Sequence, residues 1–229
     1  MCIKKYFLRI GIGYGSSILL GILSVVLSGC STAEKKTPEQ AVVQTRPSPA
    51  EVQQYYQKGL ASDGRRDYTA AAEWYRKAAD QGYAKAQYNL GVAYAQGQGV
   101  PKDLQEAVKW FRKAADQRFA QAQYNLGIVY AHGLGVTQNY QEAAEWYRKA
   151  AEQGFAQAQY NLGVMYRRGQ GVEPDPVMAY VWLSLSAAQG YEDAQSAQRA
   201  AAKSLTASQR ASADQLVEEY FQQNRTPSQ

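Results

Sequence analysis

Thiols are almost absent from this sequence. Of its 229 residues only Cys2 and Cys30 are cysteines, so nothing beyond position 30 can form a disulfide, give a thiolate to a metal or act as a sulfur nucleophile. Imidazole is scarcer still. His132 is the single histidine, which excludes a histidine-built metal cage and leaves general-base catalysis a single candidate of its commonest type. Excess charge is small as well. The formal net charge is +5, of which Lys4, Lys5 and Arg9 contribute three with no acid before Cys30, so the remainder carries +2. That is no electrostatic footprint for a nucleic acid. Only one long apolar run exists, residues 10–27, and it is broken by Gly11, Gly13, Gly15 and Gly21.

What is present is a period. Residues 124–159 recur 36 residues earlier, from Tyr88, and 36 later, from Tyr160. The copies align in columns: Leu90, Leu126 and Leu162; Gly91, Gly127 and Gly163; Tyr94, Tyr130 and Tyr166; Ala107, Ala143 and Ala179; Trp110, Trp146 and Trp182. L-G-x-x-Y followed by A-x-x-x-(Phe/Tyr/Leu) is the spacing of a helical hairpin, with small residues where two helices approach closely. Between the helices stand Gly97-Gln98-Gly99-Val100, Gly133-Leu134-Gly135-Val136 and Gly169-Gln170-Gly171-Val172. Glycine closes a helix through the left-handed conformation. Asp67, Asp103, Asn139 and Asp175, also 36 apart, are N-caps for the second helices. Glu106 and Glu142 complete capping-box patterns, and Pro176 suits a first helical position. One such hairpin cannot bury its apolar face alone, so the copies stack.

These columns resemble the Sel-one-like repeat family, a relative of the tetratricopeptide repeat. The resemblance covers about residues 51–195 and implies an all-α, right-handed superhelical solenoid of helix-turn-helix repeats. Its cysteine-rich, β-lactamase-like branch is disfavoured by the missing thiols. Two departures stand out. From Gly59 to Gly91 is 32 residues rather than 36, so the first unit lacks the GxGV loop and joins its helices through residues 62–67, with Ala71, Trp74 and Tyr75 in place. Arg118 fills a column otherwise held by Gly82, Gly154 and Gly190. A positive φ there would cost a non-glycine residue ~1–2 kcal/mol, so the turn at Arg118 is expected to differ from that at Gly154.

The start of the chain is expected to lie outside this fold. Residues 1–29 have the basic start and apolar middle of a secretory signal, and Leu27-Ser28-Gly29-Cys30 resembles a bacterial lipobox. By that resemblance Cys30 carries a diacylglyceryl group, with a palmitate-like acyl chain possible on its amino group, and Ser31 directs the lipoprotein to the outer membrane, facing the periplasm. Residues 30–50 form a flexible tether, polar and with Pro38, Pro47 and Pro49. Residues 51–195 form four hairpins, and residues 196–229 a cap and tail. Within that cap a helix is expected from Thr206 to about Gln222, with Ala213, Leu216, Val217, Tyr220 and Phe221 on its apolar side.

No catalytic or cofactor motif emerges. The GxGV glycines are followed by no Lys-Ser/Thr and join helix to helix, so they are turns and not a phosphate loop. His132 shares its column with Gln96 and Arg168 and has no partner set beside it. The likeness to tetratricopeptide grooves points the first helices inward. Lys85, Tyr88 and Gln96, then Gln121, Tyr124 and His132, then Gln157, Tyr160, Arg167 and Arg168 become candidate partner-binding residues, with Val92, Ile128 and Val164 among them. Asn89, Asn125 and Asn161 read first as packing residues. Arg167 and Arg168 form the sharpest basic spot, suited to an acidic segment. The expectation is a non-catalytic scaffold, held at the membrane by lipid and binding an envelope protein or peptide, with no cofactor, nucleic acid or small-molecule substrate. The competing class is a cell-wall-acting or β-lactamase-like enzyme.

Overall fold

The computed structural model describes residues 46–225. The signal at 1–29, Cys30 and the tether up to residue 45 lie outside the described residues. Among the described residues all regular structure is helical. The helices pair as hairpins: α1 (Pro49–Gly64) with α2 (Tyr68–Ala79), α3 (Ala84–Gln96) with α4 (Leu104–Asp116), α5 (Ala120–His132) with α6 (Tyr140–Glu152), and α7 (Ala156–Arg168) with α8 (Pro176–Ala188). Then come α9 (Ala194–Ala202) and α10 (Ala207–Arg225). Each second helix packs on the first helix of the next hairpin, giving a helix-turn-helix solenoid.

Two glycine columns set how closely these elements approach. A Cβ on Gly127 would lie 2.4 Å from the Tyr147 ring, and one on Gly91 2.7 Å from Phe111, so the two helices of a hairpin meet ring against bare backbone. A Cβ on Gly99 would stand 1.9 Å from the Tyr68 carbonyl oxygen, and one on Gly171 2.1 Å from that of Tyr140. The GxGV loop is therefore pressed against the start of the previous hairpin's second helix. It locks neighbours together as well as turning the chain.

The second helices start as the sequence expects. Asp67, Asp103, Asn139 and Asp175 each accept backbone N–H bonds at 2.9–3.2 Å. Only half of the anticipated capping boxes forms. The Asp103 amide donates to the Tyr94 carbonyl at 2.9 Å and that of Asn139 to Tyr130 at 2.9 Å, so neither needs the glutamate; Glu106 instead pairs with Lys109 at 2.8 Å. A complete box stands at Ser48 and Glu51, opening α1. The later first helices, α3, α5 and α7, use no side-chain cap. Their N-cap residues Tyr83, Phe119 and Phe155 pack on Tyr56, Tyr88 and Tyr124 of the preceding first helix, with centroids 5.1–5.3 Å apart.

Arg118 corrects an expectation. Its φ is +63°, against +83° at Gly154, and both turns have the same bonds: residue 118 to Ala115 at 2.9 Å and 154 to Ala151 at 2.9 Å. The stacked helices on either side fix the path of the chain, and the arginine accepts the left-handed conformation and its strain. Arg66, with φ +61°, does the same in the first hairpin. There α1 runs on to Gly64, so the connection shortens to residues 65–67.

Tryptophans join the hairpins. Trp110, Trp146 and Trp182 are 4%, 5% and 1% exposed, each in a core cluster with residues of the preceding hairpin. Trp74 has no preceding hairpin among the described residues. It is half-buried, stacks on Tyr55 at 5.9 Å and carries the ammonium groups of Lys58 and Lys77 over its ring. A polar ladder runs through the same junctions. Buried Gln87, Gln123 and Gln159 each donate to a carbonyl of the previous helix at 3.1 Å and accept from Gln117, Gln153 and Gln189 at 2.6–2.7 Å. This pins the register of adjacent repeats, because sliding would orphan buried amides.

At the far end α10 packs on α8. Where α4 and α6 carry Lys109 and Glu145, then Lys113 and Lys149, α8 carries buried Val181 and Leu185. Trp182 meets Tyr220 at 4.9 Å, and the Tyr180 hydroxyl donates to Asp214 at 2.7 Å. Ala213, Leu216, Val217, Tyr220 and Phe221 all belong to this cluster. Thr206 and Gln209 exchange bonds at the start of α10, with the amide donations at 2.9 and 3.2 Å.

Candidate functional site: a row of notches between repeats

The hairpin geometry leaves a notch wherever consecutive first helices pass each other, floored by a second helix and flanked by a GxGV loop. Three such notches, of about 80, 180 and 220 Å³, share the same six columns. Their members are Tyr68, Leu104 and Tyr140; Tyr75, Phe111 and Tyr147; Asn89, Asn125 and Asn161; Val92, Ile128 and Val164; Ala93, Val129 and Met165; Gln98, Leu134 and Gln170. The repeat makes the shape three times, and the variable residues give each copy its own chemistry.

The first notch is mixed, with Ala71, Ala72, Val92 and Ala93 beside the polar groups of Tyr75, Asn89 and Gln98 and the carboxylate of Asp63. Burial, reinforced by the Asp63 carboxylate, pushes the Tyr75 hydroxyl up to about 12, while the nearby Asn89 amide pulls the other way. The second notch is apolar, walled by Val92, Leu104, Phe111, Ile128 and Leu134, with Gln96 at one side. The third is polar and basic, lined by His132, Arg168, Asn161 and Gln170 beside Tyr140 and Tyr147. Burial raises Tyr147, with Asn161 opposing. The exposed large apolar residues follow this row. Leu134 and Tyr140, each 39% exposed, line the second and third notches, and Leu60, 38% exposed, occupies the α1 position equivalent to Val92.

The candidate residues divide on this frame. Gln96 lines the second notch, and His132 and Arg168 the third. Arg167 is exposed beside Arg168 in the last turn of α7. Tyr88 is half-buried between Phe111 at 5.9 Å and Phe119 at 5.3 Å, Tyr124 lies likewise on Tyr147 and Phe155, and Tyr160 on Tyr191. These tyrosines join one repeat to the next. Lys85 and Gln121 are exposed and Gln157 half-buried at the starts of their helices, and none of the three lines a notch. The asparagines face tyrosine hydroxyls: Asn89 those of Tyr56 and Tyr75, Asn125 that of Tyr88, and Asn161 those of Tyr124 and Tyr147. Leu60, Leu134 and Tyr140 escaped the sequence reading. The 98/134/170 column was visible inside the GxGV loops, but its meeting with a first helix one repeat away was not.

A larger hollow of about 350 Å³ lies beside Arg118, lined by Asp116, Lys149, Glu152, Trp146 and Gln153. Both carboxylates and both cations there are exposed to solvent. Among the described residues no group of three or more His, Cys, Asp or Glu side chains could hold a metal ion, and no helix is long and apolar enough to cross a membrane.

Known proteins fit this picture. The structure resembles a crystal structure of a Sel1 repeat protein from Oxalobacter formigenes, 39% identical over 65% of this chain and 62% of that one, with a TM-score of 0.58. It also resembles a protective antigen present in uropathogenic Escherichia coli strains and displaying an SLR fold, 32% identical over 75% of this chain and 45% of that one, with a TM-score of 0.53. Among curated proteins, DAP3-binding cell death enhancer 1 of Rattus norvegicus is 55% identical over 40 residues, 18% of this chain and 8% of its own length. The matched region thus spans less than two thirds of each relative. The Sel1 repeat model matches residues 54–83, 84–119, 120–155 and 156–191, well over half of the sequence, and the chain belongs to the Sel1 repeat family.

Proposed function

We propose that this protein is a non-catalytic scaffold whose row of notches on the first helices holds an extended segment of a partner polypeptide. Sel1 repeat proteins generally act as protein-interaction scaffolds. The observation that carries the reading here is that Leu134 and Tyr140, each 39% exposed, line the second and third notches. Large apolar side chains kept in water along one line mark an interaction surface. A leucine of the partner buried there contributes ~1.5–3 kcal/mol.

The same reading places the scaffold in a bacterial envelope, anchored through lipid on Cys30 and facing the periplasm from the outer membrane. Its support is the basic start, the apolar run and Leu27-Ser28-Gly29-Cys30. Two acyl chains would hold it firmly where one would not. Confinement to a surface shared with the partner raises effective concentration without new contacts.

The test is site-specific photocrosslinking in native membranes, with a photoreactive residue at Leu134 or Tyr140 and, as control, at exposed Gln105 on α4. A polypeptide adduct from the first two positions and not the third is expected. Adducts from Gln105 alone, or from none of them, reject the docking face. Palmitate labelling that survives Cys30→Ala rejects the anchor.

A further inference from the structure

We infer that the docked segment is read in a fixed order: a basic or hydrogen-bond-donating side chain in the first notch, a large aliphatic one in the second and a carboxylate in the third. This rests on the docking reading above and adds its specificity.

The order follows from how the notches differ. The second is walled by Leu104, Phe111, Ile128 and Leu134, a surface that rejects a charged side chain because desolvation would go uncompensated. The third offers the guanidinium of Arg168 with the ring of His132 and the amides of Asn161 and Gln170, and Arg167 stands next to it. A guanidinium pairs with a carboxylate through two parallel N–H bonds and suits it better than any neutral ligand. The first carries Asp63 near the Tyr75 hydroxyl and the Gln98 amide, and so favours a cation or donor. The three are built on the same columns but differ in size and in the charge and polarity of their linings, and those differences supply the register.

Geometry fixes the spacing. Packed helices lie ~8–10 Å apart, and successive first helices, each packed mainly on the second helix between them, repeat at no less than that distance. An extended chain advances ~3.3 Å per residue. Side chains two or four apart share a face and two positions fall short of the spacing, so the aliphatic and acidic residues stand about four positions apart, with alternate side chains turned away from the solenoid.

The experiment is selection of random linear peptides, displayed on phage, against the purified full-length chain. Enriched peptides are expected to carry Asp or Glu about four positions from Leu, Ile, Met or Phe. Their binding should fall at least about tenfold in Arg168→Glu, weaken less in Arg168→Gln and decline with added salt. Selection repeated on the Arg168→Glu chain should favour Lys or Arg in place of the acid. Helical circular dichroism equal to the parent's shows that both variants fold. Enriched peptides without the acidic position, or with binding unchanged in Arg168→Glu, overturn the ordered reading while adducts at Leu134 keep the docking face. No enriched peptide, with adducts at Leu134, overturns recognition of a linear segment. Self-association abolished by Leu134→Asp assigns the row to a second copy and overturns the inference.

Discussion

Replacing Arg118 by glycine should stabilise the protein. Arg118 holds φ at +63° in a column whose other members, Gly82, Gly154 and Gly190, stand at +87°, +83° and +79°. For an L-residue this conformation costs ~1–2 kcal/mol. Glycine gives back part of that gain, because it adds ~0.4–1 kcal/mol of conformational freedom to the unfolded chain. The net gain is ~0.5–1 kcal/mol, and each kcal/mol shifts the melting midpoint by ~2–4 °C in a chain of this size. Side-chain losses do not reverse the sign, since Arg118 is exposed and makes no hydrogen bond or ion pair through its guanidinium with another described residue. Two controls isolate the backbone. Arg118→Ala keeps the strained φ and should be nearly neutral. Gly154→Ala acquires the strain where a Cβ meets nothing within 4 Å, and should lose ~1 kcal/mol. Stacked repeats can open separately, so urea midpoints should be read beside hydrogen exchange of the residue 118 and 119 amides, which bond Ala115 and Ala114. A lower midpoint for Arg118→Gly, or an unaffected Gly154→Ala, would falsify the strain argument.

Other outcomes follow from packing and burial. Trp146→Ala empties a site 5% exposed between the second and third hairpins and should cost ~3–5 kcal/mol in denaturant titration; an unmoved curve contradicts its role as a junction. Leu185→Lys restores the residue type of Lys113 and Lys149 beneath α10, where a buried unpaired charge costs ~3–5 kcal/mol. Faster hydrogen exchange throughout α10 and greater exposure of Trp182 are expected, and an unchanged α10 disproves the seating on α8. Alkali should also destabilise the fold. The folded hydroxyls of Tyr75, Tyr88, Tyr124 and Tyr147 lie above their ordinary value of 10, chiefly through burial. Their contribution is complete below pH 10 and is lost as pH rises from there through the raised values, about 12 for Tyr75. A melting midpoint flat across that window, with tyrosinate absorbance following the ordinary titration, would count against it.

Sequence alone determined the repeat, the hairpin and the N-caps of its second helices. Those depend on residues within one turn or one hairpin: Asp103 three positions before the amide it caps, Gly97 ending α3, and Gly91 beneath Phe111. Local geometry is the same in every copy, so the columns display it. Tertiary structure decided what depends on neighbours 30 or more residues away, such as the bond from Gln117 to Gln87. Stacking forced Arg118 into a glycine's conformation and drew Tyr88 from the candidate face into the junction with Phe119. It buried Leu185 under α10 and set Leu134 beside Ile128 to make the second notch apolar. No single repeat encodes these outcomes, because each is a property of the surface formed where two copies meet.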